Sequence, residues 1–507
     1  MQMVSEAMIL KDAYSLEGRK VMTNLDSIFK SRDTAEITVV ESIPKRSTNY
    51  HGNSEYIIGP QYLEKKDIVT VKKGVTRQFW VTFHIPHGTE PGTYKGEFEL
   101  ISLTGKVTVP AEVKVYPFTL ESPGASYGMW VTEFNAKSVR KDFDAMGKHG
   151  INWVCMHSDK AVKFDDMHVD TMKIDLENSL FSVAAETLQK YGPVTLITMY
   201  DDVLKFVAHH NKGREFEAVQ KAHRIISDYC KKRNFPEIYW LGDDEILSNP
   251  VRIEACIPRL AMHKKAGMRV GTNHLWKKTV RPQHEAAEKL EKLSDIIIIR
   301  YNTRTLYYVD TWKEIMKECI AAGKPLLSYN NDCCLVFAQP AGKRFAHGWF
   351  LRSIGKGSAG MGWYMYLRIS GSPYTDLDGA ADWCYTYPAA EGRNGGVSID
   401  FEALREGTDD MRYIRTLEKS IANAKKRNIS TFEAEKLLTD LVNSIDQERF
   451  NKNSLFINSV WDKTFEKDGK HFASGEYLPP TGWRVADYDK ARAEIAKAII
   501  KLQEQMR

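Results

Sequence analysis

The alternation of strand-like and helix-like segments from residue 126 to residue 428 constrains the fold of this chain most. Short runs of β-branched and aromatic residues are separated by helical patterns, and several helices end in glycine, as at Gly150, Gly267 and Gly323. Such alternation is typical of parallel βα units. Eight units over about 300 residues match the size of a (β/α)8 TIM barrel, which we predict here.

The predicted barrel strands are apolar runs that end in polar or aromatic residues. They are Tyr127–Phe134, Asn152–His157, Val194–Tyr200, Glu237–Leu241, Arg269–Asn273, Ile296–Tyr301, Pro325–Asn330 and Gly360–Leu367. A doubly wound open sheet is the alternative architecture. The barrel is preferred because no GxGxxG motif follows the first strand.

The residues before and after this region have other patterns. Short alternating strands with Gly and Pro turns predict an antiparallel β-sandwich over residues 1–122, beginning its strands near residue 35. The barrel domain is predicted to span residues 126–428, and a Gly/Pro/Asp-rich insertion, Gly371 to Gly396, precedes its last helix. Amphipathic segments at Phe432–Asp446 and Asp487–Gln505 predict a helical C-terminal extension over residues 429–507. The chain is therefore expected to be a multidomain α/β protein.

Composition excludes several classes of protein. With 71 Lys+Arg against 66 Asp+Glu, the net charge of +5 is too small for a dedicated nucleic-acid binder. No apolar run reaches the roughly 18 residues of a membrane span, and Ala7–Leu10 is too short for a signal peptide, so we expect a cytoplasmic protein or one whose signal has been removed. The odd count of seven cysteines indicates reduced thiols, and no zinc-binding pattern surrounds Cys333 and Cys334.

Three consecutive carboxylates follow the fourth predicted strand, and they are the leading catalytic candidates. Asp243, Asp244 and Glu245 come directly after Gly242, at the strand end where barrel enzymes place their active sites. Neighbouring carboxylates repel one another, which raises at least one pKa and provides a general acid beside a carboxylate. The alternative is a solvated acidic loop that caps the helix beginning near Pro250.

Aromatic and polar residues at the other strand ends favour a sugar site. Rings stack on the CH faces of a sugar, while Asn, Asp and His bind its hydroxyls. The candidate substrate-binding residues, besides Asp243, are Trp130, Tyr200, His274, Trp276, Tyr301, Tyr329, Trp363 and Tyr364. Any one of them is more often a core residue, so their coincidence at several strand ends carries the prediction.

Three segments together resemble a known family. They are Tyr239–Glu245, the segment Trp349–Tyr366 with its glycine-rich approach to a Trp-Tyr pair, and Ser398–Asp410. This combination resembles glycoside hydrolase family 123 and closely related sandwich-plus-barrel glycosidases. The predicted sandwich is similar as well, at Gln78–Thr82 and Pro91–Gly96. One departure is Asp400, where relatives commonly carry a basic residue.

The resemblance implies a retaining exo-β-N-acetylgalactosaminidase that acts on a glycan or glycoconjugate without a cofactor or metal. In that family an adjacent Asp-Glu pair acts through substrate assistance, which corresponds to Asp244 and Glu245 here. Glu245 would protonate the leaving oxygen and later activate water. Asp244 would hold the 2-acetamido group, whose carbonyl oxygen attacks the anomeric carbon.

Strand geometry complicates this assignment. Side chains alternate along a strand, so Asp243 and Glu245 would share a face while Asp244 points away, unless the strand is broken at Gly242. Asp243 therefore stays the competing partner of the acetamido group. Two other hypotheses also stay open: a two-carboxylate glycosidase for another sugar, which would use Glu133 or Asp332, and a noncatalytic carbohydrate-binding protein. The oligomeric state stays open too, and Arg405 and Glu406 are interpreted as parts of a salt-bridged outer helix.

Overall fold

The computed structural model of this chain describes residues 2–10, 16–24, 35–46, 56–66, 68–71, 76–102, 105–131, 138–244, 250–274, 284–300, 309–330, 340–355, 359–363, 366–368, 371–374, 383–390, 392–445, 461–467, 470–477 and 483–507. Within these ranges, no helix combines the length and apolar character that crossing a bilayer requires.

The N-terminal part forms two antiparallel sheets. Its strands are β1 (Gln2–Leu10), β2 (Leu16–Asn24), β3 (Ala35–Arg46), β4 (Tyr56–Glu64), β5 (Ile68–Val71), β6 (Arg77–Ile85), β7 (Gly92–Ser102) and β8 (Gly105–Val115). Alternate residues of β6, such as Phe79, Val81 and Phe83, are buried, as expected for strands with one covered face. Val81 and Phe83 pack with Phe98 and Val113 of the other sheet, so the two sheets form the predicted sandwich. Its strands were expected to begin near residue 35, but β1 and β2 lie before that point.

Eight parallel strands close into a barrel. The barrel strands are β9 (Ser126–Val131), β10 (Trp153–His157), β13 (Leu196–Tyr200), β14 (Ile238–Asp244), β15 (Arg269–His274), β16 (Ile296–Arg300), β17 (Leu326–Asn330) and β18 (Ala359–Trp363). Two pairs of short strands lie outside the barrel sheet: β11 (Lys163–Asp166) with β12 (Lys173–Asp175), and β19 (Leu367–Arg368) with β20 (Trp383–Cys384). Two further strands, β21 (Thr386–Tyr387) and β22 (Gly396–Ser398), come after the barrel strands in the chain. The barrel order is β10-β13-β14-β15-β16-β17-β18-β9. Every one of the eight predicted strands is present, and closure excludes the open sheet.

Helices lie between the barrel strands and continue after them. They are α1 (Val139–Lys148), α2 (Ser158–Ala161), α3 (Leu180–Leu188), α4 (Asp202–His210), α5 (Glu215–Lys232), α6 (Pro250–Lys265), α7 (His284–Leu293), α8 (Val309–Ala321), α9 (Pro340–Phe345), α10 (Leu351–Ser353), α11 (Ile399–Lys426), α12 (Phe432–Asn443) and α13 (Val485–Gln505). A π-helical turn, Ala346–Phe350, joins α9 to α10. The long helix α11 begins at Ile399 and is capped by Ser398, whose hydroxyl accepts a hydrogen bond from the Phe401 backbone N–H.

The sandwich contains two strands that the sequence assigned to the barrel domain. The six-stranded sheet has the order β1-β6-β3-β4-β22-β21, so the end of the predicted insertion pairs with β4. Tyr62 of β4 stacks on Tyr387 of β21 with ring centroids 4.7 Å apart. The domain boundary near residue 122 therefore does not separate all the sandwich strands from the rest of the chain.

The C-terminal region is helical, as predicted, but it also contains a hairpin. Strands β23 (Trp461–Lys467) and β24 (Lys470–Tyr477) pair between α12 and α13. Helix α13 packs on α11, where Arg492 makes ion pairs with Glu406 and Asp410 at 2.9 and 2.6 Å.

Candidate active site

Apolar and aromatic side chains fill the lumen of the barrel. The inward-facing cluster includes Trp130, Trp153, Leu196, Tyr200, Leu241, Ile298 and Tyr329. On β14, Tyr239 and Leu241 face this lumen, while Trp240 between them packs in the outer core. This is the alternation expected of a strand whose two faces meet different layers.

The alternation changes phase at the end of β14. In the pairing of β14 with β15, Leu241 lies opposite Gly271 and Asp244 lies opposite Asn273, so two residues of β14 span the place of one on β15. This is a β-bulge, which re-aims the side chains after it. Gly242 makes the bulge compatible with helix α6, since a Cβ there would lie 2.5 Å from the Cys256 sulfur.

The bulge places Asp244 on the lumen side. The Tyr200 hydroxyl donates a hydrogen bond to Asp244 Oδ1 at 2.9 Å, and the Trp130 indole N–H lies 3.3 Å from the same hydroxyl. Burial raises the pKa of Tyr200 well above its ordinary value, and the Asp244 carboxylate raises it further, so the phenol stays a donor. Asp244 is solvent-exposed above this buried floor and is therefore accessible to a ligand.

Asp243 points away from the lumen into a cluster of charges between α4 and α6. Its carboxylate accepts from Lys205 at 2.6 Å and lies 3.1 Å from Arg259 Nη2. The same two cations contact the fully buried Asp201, at 3.2 and 2.7 Å. Burial alone would raise the pKa of Asp243, but the hydrogen bond from Lys205 and the charge of Arg259 hold it below its usual value.

His157, at the end of β10, lies between Tyr200 and this charge cluster. Its ring stacks on Tyr200 with centroids 4.7 Å apart, and its Nδ1 lies 3.0 Å from Asp202. With Asp159, these two residues form the one group in the described part of the chain with metal-ligand spacing, their ligand atoms lying within 4.8 Å of one another. Because the Lys205 ammonium already lies 3.5 Å from Asp202, we assign no metal to this group.

The predicted substrate-binding residues fall into two sets. Trp130, Tyr200 and Tyr329 are exposed by only 1%, 4% and 3%, so they form the floor of the lumen. Trp130 is covered by Trp153 and Tyr329, both at 5.1 Å between centroids, which makes it a support for Tyr200 rather than a face for stacking.

The side chains of the remaining predicted site residues are not among those that the structure describes. His274 and Trp363 end strands β15 and β18, and only their backbones are described. The other candidates lie outside the described residues: Glu245, Trp276, Tyr301 and Tyr364, together with Glu133 and Asp332 of the alternative mechanism.

Two cations that contact Asp243 were missed from the sequence. Lys205 and Arg259 lie in helices, far along the chain from Asp243, and helical Lys and Arg residues are ordinarily solvated. The one available signal was the spacing of Asp201 and Asp202 with Lys205, four and three residues apart, which favours ion pairs on a helix.

The motif in α11 has a structural role. Arg405 is 3% exposed by its side chain and pairs with Glu402 and Glu406 at 2.7 and 2.9 Å, as its interpretation as a salt-bridged helix predicts. Asp400, the residue that departs from the family pattern, pairs with the buried Lys343 at 2.5 Å.

No protein-family model matches this chain, and no curated protein matches it. Among solved structures, a family 123 glycoside hydrolase from Clostridium perfringens matches 100% of this chain and 94% of its own, with a TM-score of 0.64 and 10% identity. A family 39 glycoside hydrolase from Bacteroides cellulosilyticus WH2 covers 78% and 81% at 12% identity, with a TM-score of 0.41. An endo-beta-1,4-mannanase from Thermotoga petrophila covers 57% and 77% at 11% identity, with a TM-score of 0.37.

The first of these matches extends over the sandwich, the barrel and the C-terminal region together. The fold of this chain is therefore similar to that of a family 123 glycoside hydrolase, as the resemblance of the sequence motifs led us to expect.

Proposed function

We propose that this protein is a retaining exo-glycosidase that releases terminal β-linked N-acetylgalactosamine by substrate assistance. The observation that carries the proposal is the exposed Asp244 carboxylate, which the bulge in β14 turns toward the lumen and the Tyr200 hydroxyl holds at 2.9 Å. Because Asp243 is bound to Lys205 and Arg259, Asp244 is the better partner for a substrate.

In this mechanism Asp244 accepts a hydrogen bond from the acetamido N–H and orients the carbonyl oxygen toward the anomeric carbon. Attack by that oxygen forms an oxazolinium ion, and the Asp244 carboxylate stabilises its positive charge. Glu245 donates its proton to the leaving glycosidic oxygen. It then takes a proton from the water that opens the oxazolinium ring, so the enzyme returns to its starting state.

The end of β14 does not follow the strict alternation of strand side chains. The bulge between Leu241 and Asp244 interrupts that alternation, and we propose that Asp244 and Glu245 both act on the same substrate. The similar Clostridium perfringens protein is described in connection with hydrolysis of glycolipid glycans, which makes a glycoconjugate the first natural substrate to test.

The test compares aryl β-glycosides of N-acetylgalactosamine, N-acetylglucosamine and galactose. We expect cleavage of the acetylated substrates, fastest for N-acetylgalactosamine, with a β-configured first product in a proton NMR time course. Asp244→Asn and Glu245→Gln should each lower kcat/KM by about 10²–10⁴-fold. Asp228→Asn, on the exposed face of α5, is the matched control and should keep full activity.

Two results would contradict the proposal. Hydrolysis of the unacetylated galactoside at a similar rate would favour a mechanism with two enzymatic carboxylates. Binding of a glycan without cleavage of any substrate would favour the noncatalytic carbohydrate-binding protein.

A further inference from the structure

A closed circuit of contacts surrounds Asp244. The positioning circuit, as we call it, runs from Asp244 to Tyr200, His157, Asp202, Lys205 and Asp243, and back to Asp244 through one peptide bond. It therefore holds Asp244 by its side chain on one branch and by its backbone on the other.

Lys205 is the point where the two branches meet. Its ammonium lies 2.6 Å from Asp243 and 3.5 Å from Asp202, and it also contacts Asp201 at 3.2 Å. A neutral or shorter side chain would leave both branches without their common partner. Helix α4, which carries Lys205, starts directly after β13 and its Tyr200, so the helix and the floor of the lumen are covalently coupled.

The negative charges around Lys205 should displace neighbouring side chains if Lys205 is removed. Among the described residues, the three carboxylates of Asp201, Asp202 and Asp243 face two permanent cations, Lys205 and Arg259. Without Lys205, Asp201 and Asp243 would share Arg259, while Asp202 would lose the lysine ammonium and keep its contact with His157. Repulsion in this partly buried site would then push the Asp243 and Asp202 side chains apart toward solvent.

We propose that Lys205 is a positioning residue that sets the contact between Asp244 and Tyr200. It does so without touching the substrate: through Asp243 it fixes the end of β14, and through Asp202 and His157 it fixes the ring of Tyr200. The inference deepens the proposed function, on which its kinetic test rests, while its structural test needs no substrate.

The structural test is a set of crystal structures of the full-length wild type, Lys205→Met and Lys205→Arg. We expect the distance from Tyr200 Oη to Asp244 Oδ1 to exceed the hydrogen-bond limit of about 3.5 Å in Lys205→Met and to stay within it in Lys205→Arg. The matched control is Lys264→Met, which removes an ion pair between α6 and Asp295 before β16. An intact Tyr200–Asp244 contact in Lys205→Met would overturn the inference.

Asp243→Asn provides a second route to the same contact if Lys205→Met fails to fold. It keeps the side-chain volume but removes the charge that Lys205 and Arg259 bind, so the Tyr200–Asp244 contact should lengthen here as well. Retention of the wild-type contact in Asp243→Asn would likewise overturn the inference.

The kinetic test uses whichever aryl glycoside the wild type hydrolyses. A displacement of about 1 Å at a catalytic group costs on the order of a hundredfold in rate, so kcat should fall by about that factor in Lys205→Met while KM changes less than about threefold. Lys205→Arg should recover most of the rate. Unchanged kcat in Lys205→Met would contradict the inference. A wild type that cleaves no glycoside would contradict the proposed function, and the crystal structures alone would then test the role of Lys205.

Discussion

Two neighbouring carboxylates have opposite surroundings at the end of β14. Asp243 lies between two cations, and Asp244 lies in the lumen opposite a phenol. The acidic triplet was predicted from the sequence as the catalytic candidate. Which Asp faces the lumen could not be predicted, because it depends on a pairing irregularity with β15 and on ion pairs from two separate helices.

The hydrogen bond from Tyr200 should be needed for the orientation of Asp244. Tyr200→Phe removes that donor and keeps the ring that stacks on His157. A hydrogen bond to a charged group contributes about 1.5–3 kcal/mol, so we expect kcat/KM to fall by about 10–100-fold on the substrate identified above.

The control for this substitution is Tyr239→Phe, on the lumen side near the start of β14. It should leave kcat/KM unchanged. Equal losses in the two variants would show that the lumen responds to any lost hydroxyl, and would remove the special role of Tyr200.

At the scale of single elements, the eight barrel strands were predictable because each is a short apolar run with both faces covered, which pattern alone reveals. Strand β4 has a weaker sequence signal because it contains Gly59 and Pro60, both unfavourable in a strand interior. Its pairing with β3, which is irregular between Glu41 and Ser42, accommodates them. The hairpin β23–β24 was missed although Asp468-Gly469, a common hairpin turn pair, lies between its strands in the sequence.

The bulge in β14 should depend on the absence of a side chain at residue 242. A Cβ on Gly242 would lie 2.5 Å from the Cys256 sulfur and 3.3 Å from Leu260 Cδ1, so Gly242→Ala must displace either α6 or the bulge. We expect the free energy of unfolding to fall by about 1–3 kcal/mol in chemical denaturation. Activity should fall as well, since the bulge orients Asp244.

A double variant shows how much of the effect of Gly242→Ala comes from the close contact between the new Cβ and the Cys256 sulfur. Adding Cys256→Ala to Gly242→Ala removes the sulfur and should restore part of both stability and activity, giving a non-zero coupling in the double-mutant cycle. Gly92→Ala, whose Cβ would meet only Tyr94 at 3.8 Å, is the control in the sandwich. Additive effects of Gly242→Ala and Cys256→Ala would contradict this explanation.

At the scale of the whole molecule, a buried ionic network joins α11 to the C-terminal helix α13. Arg492, with a side chain 13% exposed, contacts Glu406 and Asp410. Removing one partner of a buried ion pair costs about 3–5 kcal/mol, so Arg492→Met should lower the free energy of unfolding by about that amount. Lys436→Met, which breaks an exposed pair with Asp440 in α12, should cost at most about 0.5 kcal/mol in the same denaturation experiment.

The same network predicts how stability depends on pH. Burial would raise the pKa of Glu406, but the charges of Arg492 and Arg405 lower it from 4.5 to about 2. A carboxyl whose pKa is lower in the folded state stabilises the fold above its unfolded pKa, and that contribution is lost as the pH falls through the folded value. The free energy of unfolding should therefore decrease between about pH 5 and pH 2.

Glu406→Gln should reduce the slope of stability against pH in that window, measured by chemical denaturation at several pH values. Glu433→Gln, on the exposed side of α12, should leave the slope as in the wild type. An identical slope in Glu406→Gln would assign the acid sensitivity to other carboxylates.

The pairing of β22 with β4 has a consequence for the newly made chain. Tyr62 and Ser398 are partners in one sheet but are separated by most of the barrel sequence. At a synthesis rate of about 5–20 residues per second, β4 waits on the order of tens of seconds after leaving the ribosome before β22 is made. During that interval the sandwich has an unpaired edge that invites contact with other chains, so completion of the first-made domain depends on the end of the last-made barrel segment.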